Sequence, residues 1–224
     1  MDYHFENRPS YTTGIATLNK GESITLEAGA MLSHSEHIDI DTQKSSGGFI
    51  SSIKNSILTN ESMYRNIFTA TEDDQKVRFA QNKPGDMMAL DLNEDTYYIQ
   101  SGSYIANSTG VETDSESGDL DSLLGGKGLF FLKASGSGHV FVGSYGGIVK
   151  KELSAGEKFV IDSSHTVAWS DIEYKTRKVG GLKQSILSDE GFVMEFTGPG
   201  EVFIQTRDYD AFVNDIASKI NTGN

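Results

Sequence analysis

One stretch of this chain is written three times. Leu26–Asp41 reads LEAGAMLSHSEHIDID, Ile99–Asp114 reads IQSGSYIANSTGVETD, and Ile161–Thr176 reads IDSSHTVAWSDIEYKT, aligned without a gap. Each opens on an apolar residue, an acidic or amide residue and a small pair, then runs through apolar positions to a polar turn. An internal period constrains a fold more than any composition, because a unit that cannot bury its apolar face alone must bury it against its siblings. The match extends outward. Gly21-Glu22 and Gly156-Glu157 precede the first and third copies, with Gly85-Asp86 assigned to that role in the second. Downstream, IKNSILTNE in the first copy parallels LKQSILSDE in the third. Repeats of about 20–83, 84–154 and 155–207 follow, with a helix and tail over 208–224.

Within the units the period is two. Ile24 and Leu26 alternate with Ser23, Thr25 and Glu27, the pattern of a half-buried strand. Strands are also predicted at Tyr3–Asn7, Gly14–Leu18, Met31–Ser33, His37–Thr42, Tyr104–Ala106, Gly110–Asp114, Ile148–Leu153, Lys158–Asp162, Thr166–Trp169 and Ile172–Thr176. Asp86–Leu92 and Tyr97–Gln100 read as two separate strands. Three hairpins are expected: Asn66–Thr71 with Lys76–Gln81, Leu129–Ala134 with Val140–Gly143 across Ser135–Gly138, and Phe192–Phe196 with Val202–Thr206 across Gly198-Pro199-Gly200. A short amphipathic helix is expected in 47–59, with Phe49, Ile50, Ile53, Ile57 and Leu58 at helical spacing, and helical turns in the loop 115–128 and at 182–187. Asp208 or Asp210 can cap a C-terminal helix to about Ile220, with Tyr209, Phe212, Val213, Ile216 and Ile220 on its apolar face. The fold class is therefore all-β: three repeated units around a pseudo-threefold axis, with short helices.

Composition bounds the function. A net charge of −13 opposes nucleic-acid binding, which is driven by Lys and Arg neutralising phosphates. With no cysteine, disulfides, thiolate nucleophiles and zinc–thiolate sites are excluded. MDYHFENRPS lacks the apolar segment of a signal peptide, and no window is apolar enough for a membrane-spanning helix. A cytoplasmic protein without cofactor, nucleic-acid partner or membrane span is expected.

Several residues invite chemistry. His34 and His37, beside Glu36 and Asp39, form a metal site only if a turn brings them together, since strand positions i and i+3 face opposite ways. Asp162 and His165, with Ser163 or Ser164, hold the residue types of a nucleophilic site, but a histidine held by hydrogen bonds in a strand corner is the better reading, with Trp169 structural. Gly136–Gly138 and Gly198–Gly200 lead into strands rather than helices, so they are read as turns and not phosphate cradles. Glu61, Lys127 and Glu190 are repeat-equivalent and form a candidate acid–base–acid cluster on the pseudo-threefold axis.

The segments Glu27–Met31, Pro84-Gly85-Asp86, Ile99–Ser103, Ala168-Trp169, Gly198-Pro199-Gly200 and Ile204–Arg207, with Gly21-Glu22, Asp162 and His165, resemble the family named for altered inheritance of mitochondria, also called the mitochondrial biogenesis family. The resemblance spans about Tyr11 to Arg207. It implies a β fold similar to the tryptophan RNA-binding attenuation protein (TRAP-like, of the double-stranded β-helix type), three units to a chain. It implies no activity. A non-enzymatic scaffold with an unknown protein partner, free to self-associate, is the leading expectation. A small-ligand or RNA binder comes second, and a metal-dependent or hydrolytic enzyme third.

Overall fold

The structure, a computed structural model, describes residues 1–44, 64–117, 130–178 and 192–221. The expected helix in 47–59 and helical turn at 182–187 lie outside the described residues; of the loop 115–128, 115–117 fall in a strand and the rest lies outside. The described chain is mostly β, with antiparallel strands in three sheets and one C-terminal helix.

In order, the strands are β1 (Asp2–Glu6), β2 (Thr13–Leu18), β3 (Ser23–Glu27), β4 (Met31–His34), β5 (Ile38–Lys44), β6 (Tyr64–Ala70), β7 (Gln75–Phe79), β8 (Met87–Gln100), β9 (Tyr104–Ser108), β10 (Val111–Ser117), β11 (Phe130–Gly143), β12 (Ile148–Leu153), β13 (Lys158–Asp162), β14 (Thr166–Ser170), β15 (Glu173–Lys178), β16 (Phe192–Thr197) and β17 (Gly200–Gln205). Helix α1 is Tyr209–Asn221. Asp208 caps it as expected: its carboxylate accepts the N–H groups of Asp210 at 2.8 Å and Ala211 at 3.1 Å, satisfying donors that a helix start leaves free.

None of the three expected hairpins forms. β6 pairs with β3 and β5, whereas its neighbour in sequence, β7, pairs with β2 and β4. β16 pairs with β13 and β15, and β17 with β12 and β14. The connections at Thr71–Asp74 and Gly198-Pro199 are corners at which the chain changes sheet. In the middle of the molecule there is no break. β11 runs through Ser135–Gly138 as one strand of 14 residues against β8, also of 14 residues, where two strands were expected. The register slips between Gly136 and Ser137, whose partners are Asp95 and Asn93, leaving Glu94 unopposed. A bulge of this kind bends a strand without ending it.

The pairings recur. β2·β7, the first half of β8 with the second half of β11, and β12·β17 correspond. So do β3·β6, the other halves of β8 and β11, and β13·β16. The same register shift appears three times: β4 on β7 between Met31 and Ser33, β9 on β11 between Tyr104 and Ala106, and β14 on β17 between Thr166 and Ala168. Gly21, Glu94 and Gly156 stand at matching places with φ of 85°, 62° and 76°, so the residue that matches Gly21 is Glu94, and Gly85-Asp86 immediately precedes β8 instead. On β5, Ile38 is buried and Ile40 is exposed.

Three apolar clusters fill the interior, and each takes in side chains from a neighbouring part of the chain. Leu18, Ile24, Leu26, Phe68 and Phe79 pack with Met87, Ile105 and Phe141. Leu90, Leu92, Ile99, Leu132 and Val140 pack with Val167, Ala168 and Phe203. Leu153, Ile161, Trp169, Phe196 and Val202 enclose Phe131. Backbones meet most closely at Gly85, which forms parallel bridges to Tyr11 on one side and Gly146 on the other. A Cβ there would lie 1.9 Å from the Ser144 carbonyl oxygen, so only glycine fits.

Candidate functional site

Two seams join consecutive parts of the chain. β3 pairs with β9, setting Leu26 opposite Ala106, Thr25 opposite Asn107 and Ile24 opposite Ser108. β8 pairs with β14, setting Ile99 opposite Ala168, Tyr98 opposite Trp169 and Tyr97 opposite Ser170. Beside each seam lies an open cleft. The first, of about 350 Å³, is lined by Glu22, Ser23, Ser108, Thr109, Gly138 and His139. The second, of about 540 Å³, is lined by Asp95, Thr96, Tyr97, Ser170, Asp171 and Glu201, among others. These residues occupy matching places, because each cleft forms where a strand of one part ends against the corner of the next.

The side chains at matching places differ, and they pair locally. In the first cleft His139 Nδ1 lies 2.7 Å from Asp91 Oδ1, the Tyr3 ring meets the imidazole edge-on at 4.9 Å, and the Tyr3 hydroxyl donates to the same carboxylate at 3.4 Å. Ser108 Oγ accepts the backbone N–H of His139 at 2.8 Å. In the second cleft Tyr97 donates its hydroxyl to Glu201, and Lys150 Nζ reaches Glu201 at 2.5 Å and Glu152 at 3.0 Å. Burial, then the hydrogen bond to Glu201, holds the Tyr97 phenol well above its usual range, so it stays a donor. No motif announces His139 and Asp91, which are 48 residues apart; only the β8–β11 register makes them direct neighbours.

The residues singled out from sequence sort differently. Asp162 spends its carboxylate on the Ser164 N–H at 2.9 Å and hydroxyl at 2.8 Å. His165 turns away, its Nδ1 2.8 Å from the Gln205 carbonyl oxygen, so this aspartate and histidine form no relay. Ser163–His165 is one turn of 3-10 helix, and Gln205 ties its far side by donating to the Ser164 carbonyl at 2.7 Å. Trp169 is fully buried, stacked on Tyr98 at 5.7 Å and edge-on to Phe131 at 4.7 Å. Its indole Nε1 has no hydrogen-bond partner among the described residues. Gly198 and Gly200 belong to the corner between β16 and β17. There the Gly198 N–H donates to Glu157 O at 2.9 Å and its carbonyl accepts from Gly156 at 3.0 Å.

His34 and His37 diverge: His34 Nδ1 is 2.8 Å from the Ser35 carbonyl oxygen, while His37 lies 3.5 Å from Glu72. Among the described residues no three His, Asp or Glu side chains converge as metal ligands. Glu61, Lys127 and Glu190 lie outside the described residues. Among the described residues no helix is long and apolar enough to cross a membrane.

A family model described as Mitochondrial biogenesis AIM24 matches residues 3–207. An uncharacterized protein of Streptococcus pyogenes serotype M6 is 32% identical over 214 residues, which are 92% of this chain and 85% of the relative. A crystal structure of an S. pyogenes protein, from a structural genomics programme, matches with a TM-score of 0.80 at 28% identity, over 97% of this chain and 99% of the other. A model matching nearly the whole length of the β region, joined to a relative of this identity and coverage, decides the family: the chain belongs to the mitochondrial biogenesis AIM24 family.

Proposed function

We propose that this protein is a non-enzymatic interaction platform made of three like β units, TRAP-like in the sense of the resemblance, followed by a helix that engages a protein partner. The units are better drawn at about 11–80, 84–144 and 146–206 than at the boundaries suggested by the core motif. The strands that precede the motif, β2, the first half of β8 and β12, have matching partners. The exposed apolar face of α1 carries the reading. Phe212, Val213, Ile216 and Ile220 all face solvent, while Tyr145 steadies only the helix start, at 5.5 Å from Tyr209 and 5.7 Å from Phe212. A contiguous apolar face of this kind marks a contact surface. A lipid surface suits it poorly, because the helix carries Asp210 and Asp215 against one cation, Lys219.

The test compares the full chain with a Phe212→Ser/Ile216→Ser variant in affinity capture, alongside thermal melts and a turnover screen over small metabolites. The reading expects a partner that the variant loses while its melting temperature holds. Turnover of any metabolite, or capture indifferent to the helix, overturns it.

A second reading, a small-ligand binder, is favoured by the larger cleft. Asp95, Asp171, Glu152 and Glu201 surround it and suit a cationic ligand. RNA suits neither this acidic cleft nor the net charge of −13. A thermal-shift screen with amines and polyamines checks it: a shift lost in Glu201→Gln supports the reading, and no shift for any compound removes it.

A further inference from the structure

Each seam sets a strand of one unit beside a strand of the next, and the series stops one pairing short. The residues that match the two observed seams position for position would set Ile161 opposite Ser33, Val160 opposite His34 and Phe159 opposite Ser35. Within the chain this pairing is not made: among the described residues β13 pairs with β16 alone and β4 with β7 alone. Among the described residues the third seam of the series is therefore not made, and both strands keep one edge open. An open edge presents unpaired N–H and C=O groups and is a template for another strand.

Burial at matching positions shows what the open edge leaves unfinished. β9 is buried along its whole length and β14 along nearly all of it, whereas β4 is exposed at every residue. Ile105 and Val167 are 2% and 0% exposed; Leu32, in the same place, is 53% exposed, with Met31 beside it at 39%. On the other open strand Val160 is 45% exposed. The bridged row Tyr11–Gly85–Gly146 also ends abruptly, and Tyr11 at its end is 72% exposed. Extending the register by one residue beyond Phe159 places Lys158 opposite Glu36, a pair of opposite charge.

We propose that β13 of one copy pairs antiparallel with β4 of a second copy, Val160 opposite His34, so that the chain assembles head to tail by repeating the seam it already makes twice. The occupant is thus a second copy of this chain. Such a contact is heterologous: it closes into a ring if the rotation per copy divides a full turn and otherwise runs on as a filament. Tyr11 of the second copy is then placed to continue the row past Gly146. The inference rests on the equivalence of the three units and not on the helix, so its failure leaves helix-dependent partner capture untouched.

The absence of cysteine makes the test clean. Directly opposed residues of an antiparallel pair have Cα atoms about 4.5–5.5 Å apart, inside the span a disulfide bridges. The full-length variant His34→Cys/Val160→Cys is oxidised mildly and run on non-reducing gels and by native mass spectrometry. The expected result is a ladder of covalent oligomers that thiol collapses. Each single variant alone is expected to form no covalent oligomer, and an equimolar mixture of the two to yield covalent dimers and nothing larger. A Val160→Cys/Ile40→Cys pair serves as the off-register control. In parallel, Leu32→Asp and Val160→Asp, at exposed positions that leave the fold intact, are expected to reduce the sedimenting species of the unmodified chain to monomer at unchanged melting temperature. An unmodified chain that is monomeric at every concentration overturns the proposal. So does an intrachain disulfide in the double variant, or cross-linking by either single variant alone.

Discussion

Arg8 grips the buried carboxylate of Asp86 through two N–H groups, Nε at 2.9 Å and Nη2 at 2.8 Å. Thr12 Oγ1 at 2.8 Å and the Met87 N–H at 2.9 Å complete the cradle. The pair pins the segment between β1 and β2 to the start of β8. Burial alone would raise the Asp86 carboxyl. The hydrogen bonds from Arg8, Thr12 and Met87, with the Arg8 charge, outweigh it and leave the carboxyl below its usual 3.8.

A carboxyl lowered on folding contributes stability above its unfolded value, and that stability is lost as pH falls through the folded value. Arg8→Met is therefore expected to cost about 1.5–3 kcal/mol near neutrality, the net worth of hydrogen bonds to a charged group. The gap to the unmodified chain should shrink as pH drops from about 5 toward 2. Urea unfolding across that range checks it; a gap that holds constant would rule the ion pair out as its source.

Glu94 adopts a left-handed backbone, φ 62°, as the glycines Gly21 and Gly156 do at 85° and 76°. A non-glycine residue pays about 1–2 kcal/mol there, and glycine returns roughly 0.5–1 kcal/mol of that through the entropy of its unfolded chain. Glu94→Gly should raise stability by up to about 1 kcal/mol. Gly21→Ala and Gly156→Ala should lower it by a similar amount, although an added Cβ meets no atom within 4 Å at either site. Thermal melts of the three variants decide, and opposite signs are required.

Gly85→Ala drives a Cβ to 1.9 Å from the Ser144 carbonyl oxygen and to 2.8 Å from that of Gly146. No rotamer relieves a clash between backbones. A loss of about 3 kcal/mol or more is expected, at the upper end for overpacking, together with poor soluble yield. A melting temperature within two or three degrees of the unmodified chain, about what ~1 kcal/mol moves in a domain of this size, would contradict the close approach.

Trp169 buries its indole N–H without a partner among the described residues. Trp169→Phe removes that donor and keeps most of the ring packing, so it should cost less than about 2 kcal/mol, against about 3–5 for Trp169→Ala. As the one tryptophan in the chain, it also reports its own environment. Its emission should be blue-shifted in the folded protein and move red on unfolding.

The residues that carry local chemistry were largely legible beforehand. The alternation of Ile24 and Leu26 with Ser23, Thr25 and Glu27 marks a strand because a pleat puts every second side chain on one face. Asp208 announces the helix because a carboxylate before an amphipathic run satisfies free N–H groups. The seam residues carried no such sign. His139 and Asp91, or Tyr97 and Glu201, meet through backbone registers between distant strands, and a backbone register leaves no motif. The loops tipped with glycine misled for the same reason. Gly198-Pro199 has the composition of a hairpin, yet it turns the chain into a different sheet, and Gly136–Gly138 lets a strand bend and continue.

From the sequence alone came a threefold pattern, a β fold, a capped terminal helix and the exclusion of thiol chemistry, all of which depend on residue type and spacing. Tertiary structure alone decided which strands share hydrogen bonds, that the middle strands fuse, and that β4 and β13 stand at sheet edges among the described residues. Pairing between distant strands is settled by which apolar faces can be buried together, and that is a property of the assembled backbone rather than of any one stretch of it.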